Sequence, residues 1–327
     1  MTGNYDSETK TAYWGIGNAG PWMGDQRPGD NLYTAATMAL DVNTGAIKGH
    51  FQYTPNESYD WDEVSPPILI DFKREGKEVR GLVNVSRSGY LYFLSRQKDG
   101  KIGFVDGQPY VNQTAFKGLD PNTGRPFINP DQKPATGKST FFCPSLWGGK
   151  DWPPGAFNPV TRMLYIPTND NLCSTITAGP VTYKPGERFT HGGSTQLHIK
   201  DGATFIGEVQ AWNVDTGKKA WSVPFAKSPN WGPILTTAGG LVFSGGTNDR
   251  KFRAFDATTG KILWEQVTPS GITAMPASYT VDGKQYITVQ SGWGIDPRSK
   301  QLRLNELRPG QFPPVPEGGS IWVYALD

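Results

Sequence analysis

Two carboxylates, Asp60 and Asp62, stand two residues apart in the segment Tyr59-Asp60-Trp61-Asp62-Glu63 and carry the most suggestive chemistry of the chain. If this segment is locally extended, its side chains alternate, so both carboxylates would face the same side. Such a pair could bind a hard cation through oxygen, and either carboxylate could accept a proton from a substrate. The residues by themselves favour the alternative, an acidic loop exposed to solvent.

Two further polar residues, Asn18 and Arg87, have side chains that suit the same chemistry. The amide oxygen of Asn18 can ligate a hard cation, although an asparagine between glycine and alanine is more often a turn residue. Arg87 could donate hydrogen bonds to an oxygen on which negative charge develops during a reaction. The usual alternative for a single arginine at a strand end is exposure to solvent.

Cysteine and histidine are too few to indicate a further metal site. The histidines His50, His191 and His198 do not stand at metal-ligand spacing from Cys143 or Cys173. No C-x-x-C-H segment occurs, so the sequence attaches no c-type haem. The two cysteines are either two buried thiols or one disulfide of an oxidising compartment, and the residues leave both open.

The composition excludes several classes of function. Lys and Arg number 32 against 30 Asp and Glu, with no basic block or stripe, so nucleic acid is not an expected partner. The longest apolar runs, such as residues 67–70, are far too short for a transmembrane segment. With 40 Gly, 27 Pro and many aromatic residues, the sequence favours short strands joined by many turns.

A repeated segment predicts the elements that must position the polar side chains. Residues 211–221 (AWNVDTGKKAW) recur as residues 254–264 (AFDATTGKILW), at an offset of 43 residues. Residues 39–49 form a degenerate copy in which Gly49 replaces the final tryptophan. Residues 118–124 form a weaker partial copy, and residues 323–327 begin another copy. This period is that of a four-stranded propeller blade.

In the copies, apolar residues alternate in a strand, and the Asp-x-x-Thr-Gly segment that follows is a turn in which Asp and Thr bond nearby backbone and glycine accepts a positive φ. The tryptophan then begins the next strand, where it can pack between blades. Long helical periodicity is nearly absent. Segments that resemble strands are residues 11–15, 81–86, 90–94, 163–167, 240–244 and 286–290. The expected fold is an all-β propeller with four to five blades, and a closed four-bladed ring is compatible with this spacing.

Six motifs, in order over nearly the whole chain, resemble the quinoprotein methanol/ethanol dehydrogenase family, whose enzymes depend on pyrroloquinoline quinone (PQQ). The matching segments are WGIGNAGPW at 14–22, QRPGDN at 26–31, YTP to YDWD at 53–62, SRSGYLY at 86–92, NWG at 230–232 with GGLVF at 239–243, and GG to AL at 318–326. The resemblance implies an eight-bladed propeller about twice as long as this chain. Residues 1–327 would then form a partial domain without its N-terminal half, with Met1 either an internal methionine taken for a start or the beginning of a partial gene.

The resemblance assigns roles to the polar residues named above. Asp60 matches the base that accepts the alcohol proton, and Asn18 matches a metal ligand. Asp62 departs from the calcium-type enzymes and matches a second carboxylate of the lanthanide-type enzymes, so the expected ion is a lanthanide(III), with Ca²⁺ as the alternative. An adjacent cation would hold the pKa of Asp60 low. Arg87 matches the residue that donates hydrogen bonds to the quinone oxygens.

Further matches concern the cofactor and the cysteines. Asn169, with Asn171 as a rival, and Trp231 match PQQ contacts, and Trp293 is a weaker candidate; both tryptophans could instead be packing residues. Cys143 and Cys173 match a family pair that forms a disulfide.

The implied function is oxidation of a small alcohol in the periplasm by hydride transfer to metal-bound PQQ, with a cytochrome c as electron acceptor. A homodimer is one candidate assembly. The alternative is a cofactor-free or non-enzymatic propeller that acts as a binding scaffold. Such a scaffold would keep the repeated turn but would have no need for Asn18, Asp60 and Arg87 together.

Overall fold

The computed structural model describes residues 3–325, which form two compact units. The first unit comprises Met1–Trp152 and Asn171–Asp201, and the second comprises Pro153–Asp170 and Gly202–Asp327. Both consist of antiparallel sheets, and in three of these sheets one pair of neighbouring strands is separated along the chain by other strands. No helix in residues 3–325 has the length and apolar character needed to cross a membrane.

The first unit contains two four-stranded sheets, one three-stranded sheet and two hairpins. The four-stranded sheets comprise Asn4–Asp6, Thr11–Ile16, Ala36–Asp41 and Ile47–Gln52, and then Ile68–Leu69, Gly81–Val85, Tyr90–Arg96 and Ile102–Pro109. The three-stranded sheet comprises Ser139–Phe142, Leu172–Thr177 and Ser194–Ile199. The hairpins pair Phe72–Arg74 with Lys77–Val79, and Phe116–Leu119 with Pro126–Ile128. Short 3₁₀ turns occupy Gly24–Gln26 and Pro130–Gln132.

The second unit contains two four-stranded sheets, a three-stranded sheet and one helix. The four-stranded sheets comprise Ala156–Asn158, Met163–Asn169, Gly207–Asn213 and Lys218–Phe225, and then Ile234–Thr236, Leu241–Ser244, Lys251–Asp256 and Ile262–Val267. The three-stranded sheet comprises Ala277–Val281, Lys284–Gly292 and Gly319–Ala325. The helix, Ile295–Leu307, lies in the connection between the last two of these strands.

All six segments that resembled strands in the sequence are strands, with ends that differ by one or two residues. The 13-residue helix was not expected. Its buried residues are Pro297, Lys300, Gln301 and Leu304. Because only Leu304 among these four is a typical apolar residue of a helix, the helix has no apolar stripe from which its period could be recognised.

The core of each unit lies between successive sheets. In the first unit, the rings of Phe51 and Tyr53 pack against Tyr92 of the next four-stranded sheet, at centroid distances of 5.6 and 4.9 Å. In the second unit, Tyr165 and Val209 of one sheet share a buried cluster with Phe255 of the next. Face-to-face packing of sheets through their side chains is the arrangement expected of propeller blades.

The repeated turn has the predicted hydrogen bonds. Asp256 Oδ1 accepts the main-chain amides of Thr258 and Thr259, at 3.0 and 2.8 Å, and the hydroxyl of Thr259 at 2.9 Å. Asp41 and Asp120 make the same set of bonds, and Asn213 takes this place in the remaining copy. Gly260, which closes the turn, has a φ of +73°.

Trp221, the tryptophan of the first full copy, packs between sheets, against the turn of the following sheet. Trp221 Nε1 donates a hydrogen bond of 3.1 Å to the carbonyl oxygen of Ala257. A Cβ atom on Gly260 would lie 2.6 Å from the Trp221 ring. In the degenerate copy, a Cβ atom on Gly49 would lie 2.6 Å from the carbonyl oxygen of Gly100. The missing tryptophan at residue 49 therefore reflects a close approach of two backbones.

Replacing Gly260 with alanine should destabilise the protein more than the same change at Gly283. Both glycines have a positive φ, +73° and +78°, so each alanine costs about 1 kcal/mol in backbone strain. At Gly260 the methyl group also overlaps Trp221, whereas nothing lies within 4 Å of a Cβ atom on Gly283. The overlap should add about 1–3 kcal/mol to the loss in unfolding free energy. Urea denaturation of the two variants measures the difference, and equal losses would contradict this packing.

Candidate functional site

The segment that carries Asp60 is a buried loop between the strands Ile47–Gln52 and Ile68–Leu69. The rings of Tyr59 and Trp61 stack at a centroid distance of 4.2 Å, and Trp61 Nε1 donates a 2.9 Å hydrogen bond to the carbonyl oxygen of Ser145. These two aromatic side chains anchor the residues on either side of Asp60. Asp60 itself has a φ of +67°, in the left-handed region. Asp60 is therefore not extended, so the condition under which alternation would place both carboxylates on the same side is not met.

Asn18 nevertheless brings the two carboxylates together. Its side-chain Nδ2 donates a hydrogen bond of 2.9 Å to Asp60 Oδ1. Its main-chain amide donates a hydrogen bond of 2.8 Å to Asp62 Oδ1. Residues of two separate motifs thus meet at one point, although more than forty residues separate them in the sequence. A cation bound by Asn18 would require its amide to be turned so that the oxygen faces the carboxylates.

A glycine beside Asn18 makes room for this approach. A Cβ atom on Gly17 would lie 2.5 Å from Asp62 Oδ1. Gly15 is similarly constrained by the main chain of Glu63. The two glycines of the W-G-x-G-N motif therefore allow the first segment to lie directly against the acidic loop.

Arg87 is buried at the turn between the strands Gly81–Val85 and Tyr90–Arg96. Its Nη1 lies 3.2 Å from Asp62 Oδ2 and 3.8 Å from Asp151 Oδ1, and its Nη2 donates a 2.5 Å hydrogen bond to the carbonyl oxygen of Leu146. Its main-chain amide donates a 3.1 Å hydrogen bond to Glu63 Oε1. The buried Nε atom has no hydrogen-bond partner among the described residues. One donor of this guanidinium is therefore not bonded by residues 3–325.

Burial and charge change the proton affinities at this site. Burial raises the pKa of Asp60 to about 8; Arg87 opposes this change, and Asp62 and Glu57 add to it. Burial likewise raises the pKa values of Glu57 and Glu63 to about 7. Burial lowers the pKa of Arg87, but the neighbouring carboxylates, Asp151 first, outweigh it and raise that pKa overall.

The cluster as a whole has an excess of acidic groups. Asp60, Asp62, Asp151, Glu57 and Glu63 surround two basic groups, Arg87 and Lys150. Lys150 is fully buried, donates to Ser65 Oγ at 2.6 Å, and has its pKa lowered to about 7 by burial. Among residues 3–325, no group of three or more His, Cys, Asp or Glu residues is placed to hold a metal by itself.

Glu57, Asp151 and Lys150 were not identified from the sequence. They lie outside the motif positions that drew attention to Asn18, Asp60 and Arg87. Burial of a charged side chain is not visible in a single sequence, and these residue types are usually exposed. Glu63 could have been suspected, because it directly follows Asp62.

The remaining predicted cofactor residues lie in the second unit. Asn169 Oδ1 accepts a 2.8 Å hydrogen bond from the main-chain amide of Asn230, directly before Trp231. Trp231 is fully buried, with the Lys300 ammonium 4.5 Å from its ring centroid. Trp293 packs on Gly271 at the start of the helix. The rival residue Asn171 belongs to the first unit and has a φ of +57°.

Cys143 and Cys173 form a disulfide, with their Cα atoms 4.4 Å apart. Cys143 directly follows the strand Ser139–Phe142, and Cys173 lies in the paired strand Leu172–Thr177. The disulfide therefore links the end of one strand covalently to the neighbouring strand within the first unit. The sequence left open whether these cysteines are free thiols or a disulfide, and the structure contains the disulfide.

The antiparallel sheets and their repeated turn define a β-propeller protein, and the buried cluster gives this propeller an acidic site beside one arginine. A family model described as the PQQ glucose/ethanol/alcohol dehydrogenase β-propeller domain matches residues 2–127 and 122–287. The chain belongs to this family.

Individual relatives agree with this family. The chain is 38% identical to the quinoprotein alcohol dehydrogenase PedH of Pseudomonas putida, over 100% of this chain and 54% of the relative. It is 34% identical to the lanthanide-dependent methanol dehydrogenase of Methylacidiphilum fumariolicum, over 99% of this chain and 55% of the relative. A solved structure of a europium-containing methanol dehydrogenase matches with a TM-score of 0.90 and 32% identity, over 99% of this chain and 58% of that chain. The chain thus spans about half the length of these relatives.

Proposed function

We propose that this chain forms part of a PQQ-dependent alcohol dehydrogenase that oxidises a small alcohol, with Asp60 as the base. The observation that carries the proposal is the convergence of Asn18, Asp60, Asp62 and Arg87, from separate points of the sequence, on one buried cluster. Membership of the family and the names of the relatives support the same activity.

The residues present fit a hard cation. Asn18, Asp60 and Asp62 offer an amide oxygen and two carboxylates, which are the oxygen donors that such ions prefer. The acidic groups of the cluster outnumber the basic ones, and burial makes their negative charge costly unless a positive charge lies nearby. A trivalent lanthanide would offset this charge better than Ca²⁺, so Asp62 favours the lanthanide. These three residues would hold the ion, and it would act as a Lewis acid beside the quinone.

PQQ, when bound, supplies the C5 carbonyl that accepts a hydride from the alcohol carbon. Asp60 would take the proton of the alcohol hydroxyl, and a bound cation would hold the pKa of Asp60 low enough for it to be ionised beforehand. Arg87, whose Nε–H has no hydrogen-bond partner among the described residues, would donate to the quinone oxygens and stabilise negative charge that develops there. Its bonds to Asp62 and Leu146 hold the guanidinium in place for this role.

In the second unit, Asn169, Trp231 and Trp293 would contribute further contacts to PQQ. We also infer a periplasmic location, a cytochrome c as the electron acceptor, and a homodimer as a candidate assembly. The Cys143–Cys173 disulfide supports an oxidising compartment.

The test uses the longest reading frame that contains residues 1–327. The purified protein is incubated with PQQ and either La³⁺ or Ca²⁺, and alcohol-dependent reduction of an artificial electron-acceptor dye is measured. Activity that needs both PQQ and the ion supports the proposal. A protein that binds neither PQQ nor the ion would contradict the proposal and favour the alternative of a cofactor-free propeller.

Replacing Gly17 with alanine should weaken binding of La³⁺ by about tenfold or more while the fold remains intact. The added methyl group would lie 2.5 Å from Asp62 Oδ1, so the carboxylate must move away from its place beside Asn18. Titration calorimetry with LaCl₃ measures the affinity. The control is Gly239→Ala, whose methyl group would meet only Thr237 Oγ1 at 3.8 Å. Equal affinities in the two variants would show that Asp62 does not bind the ion from this position.

A further inference from the structure

We propose that Glu57 is a positioning residue that sets the conformation of the Asp60 loop by binding the main-chain amides on both sides of Asp60. This inference rests on the proposed function, since it explains how the proposed base is held. Glu57 is fully buried, and its side chain belongs to none of the groups that would touch the substrate or the cofactor.

A single oxygen atom makes both bonds. Glu57 Oε1 accepts a 2.5 Å hydrogen bond from the amide of Tyr59 and a 3.0 Å hydrogen bond from the amide of Trp61. These two amides bracket Asp60. The carboxylate therefore fixes the peptide that follows Asp60, between residues 60 and 61, and the peptide between residues 58 and 59, one residue before it.

The loop needs such a constraint because Asp60 lies in the left-handed region, with a φ of +67°. This conformation costs a residue other than glycine about 1 kcal/mol or more, and it persists only where surrounding contacts require it. The stacked rings of Tyr59 and Trp61 fix side chains, whereas Glu57 fixes the backbone itself. Without Glu57, both buried amides would lose their acceptor, and the peptides around Asp60 would be free to turn.

The position of Glu57 is fixed in turn by Arg27. Arg27 Nη2 donates hydrogen bonds to the carbonyl oxygens of Glu57, at 2.5 Å, and of Trp22, at 2.8 Å. Its Nε donates to the carbonyl oxygen of Pro21 at 2.5 Å. Residues 21 and 22 end the motif that contains Asn18. Arg27 thus ties the loop of Glu57 and Asp60 to the segment that supplies Asn18.

Charge and geometry can be separated by two substitutions. Glu57→Gln keeps an oxygen that can accept both amides but removes the charge, so kcat should stay within about threefold of the wild type. Glu57→Leu removes the acceptor, so kcat should fall by about 10²-fold or more, because small displacements of a catalytic group are costly. The KM for the alcohol should change little, since Glu57 does not contact the substrate. Retention of kcat in Glu57→Leu, or equal loss in both variants, would overturn the proposal.

A matched control separates positioning from general loss of stability. Asn158 is also buried, and its Oδ1 accepts two main-chain amides, from Val160 at 2.9 Å and Thr161 at 3.3 Å. Asn158→Leu should lower the melting temperature to a similar extent as Glu57→Leu without a comparable loss in kcat. If both variants lose kcat equally, Glu57 acts only through stability and the proposal fails.

A second readout does not depend on activity. Hydrogen exchange of the Tyr59 and Trp61 amides in the protein without added metal or cofactor should be slow in the wild type and in Glu57→Gln, and at least about tenfold faster in Glu57→Leu. Unchanged exchange in Glu57→Leu would overturn the proposal even if the wild type oxidises no alcohol. Failure of the proposed function is recognised separately, by a wild type that is inactive with PQQ and every ion tested.

Discussion

Asp60→Asn should lower kcat for alcohol oxidation by about 10³-fold, because the amide cannot accept the hydroxyl proton. The substitution is nearly isosteric, and the side-chain oxygen can still accept the 2.9 Å hydrogen bond from Asn18. The loop should therefore keep its conformation. Dye reduction at saturating alcohol, PQQ and ion measures kcat. Unchanged activity would remove Asp60 as the base and leave the chemistry of this cluster unexplained.

The same variant should be more stable than the wild type when no metal is present. Burial raises the pKa of Asp60 to about 8 from an ordinary value of 3.8, so the folded state binds more protons than the unfolded state between these values. The stability of the wild type therefore falls as the pH rises from about 4 to 8. At pH 7, Asp60→Asn should raise the unfolding free energy by about 2 kcal/mol. Thermal melts should show this gap closing toward pH 4, and a gap that stays constant with pH would contradict ionisation of the buried carboxyl as its cause.

Asp62→Ala should shift the metal preference from La³⁺ toward Ca²⁺ by about 10²-fold. A carboxylate attracts a trivalent ion more strongly than a divalent one, and the difference is large where water is excluded. Asp62 contributes the second of the two carboxylates that Asn18 bonds. Activity measured across a concentration series of each ion gives the preference.

The control for this prediction is Asp62→Asn. It retains an oxygen that can accept from the Asn18 amide or from Arg87 Nη1, at the positions now 2.8 and 3.2 Å away, while the charge is removed. If charge determines the preference, the asparagine and alanine variants should shift it alike. A preference for La³⁺ that survives both changes would remove Asp62 as the reason for a lanthanide.

Much of the sheet structure was predictable because the repeat joins two local signals. Alternating apolar residues mark the strands, and Asp256, Thr259 and Gly260 mark the turn through bonds between residues that are close in sequence. The helix Ile295–Leu307 was not predicted because its buried face includes Lys300 and Gln301, so it has no apolar periodicity. Besides bonds within the helix to Asp296 and Asn305, these residues contact partners distant in the sequence: Lys300 lies over Trp231, and Gln301 bonds Asn248. No periodicity can report such contacts.

The candidate site was predictable only in part, for a similar reason. Asn18, Asp60, Asp62 and Arg87 were identified through motifs and do meet in the structure. The left-handed conformation of Asp60 was not foreseen, since it depends on Glu57 and on the burial of Trp61. Asp151 reaches Arg87 from a distant point of the chain, and only the fold brings these two side chains within 3.8 Å.

The contact of each turn with the preceding sheet has a consequence for how such repeats diverge. Gly260 lies on Trp221, Gly124 on Phe104, and Gly100 on Lys48, so one residue in each pair limits the size of the other. In the copy that has Gly49 in place of the tryptophan, the main chain of Gly100 lies directly against Gly49. Duplicated units of this kind become specific to their neighbours, and transplanting one unit alone should fail unless the adjoining turn is moved with it.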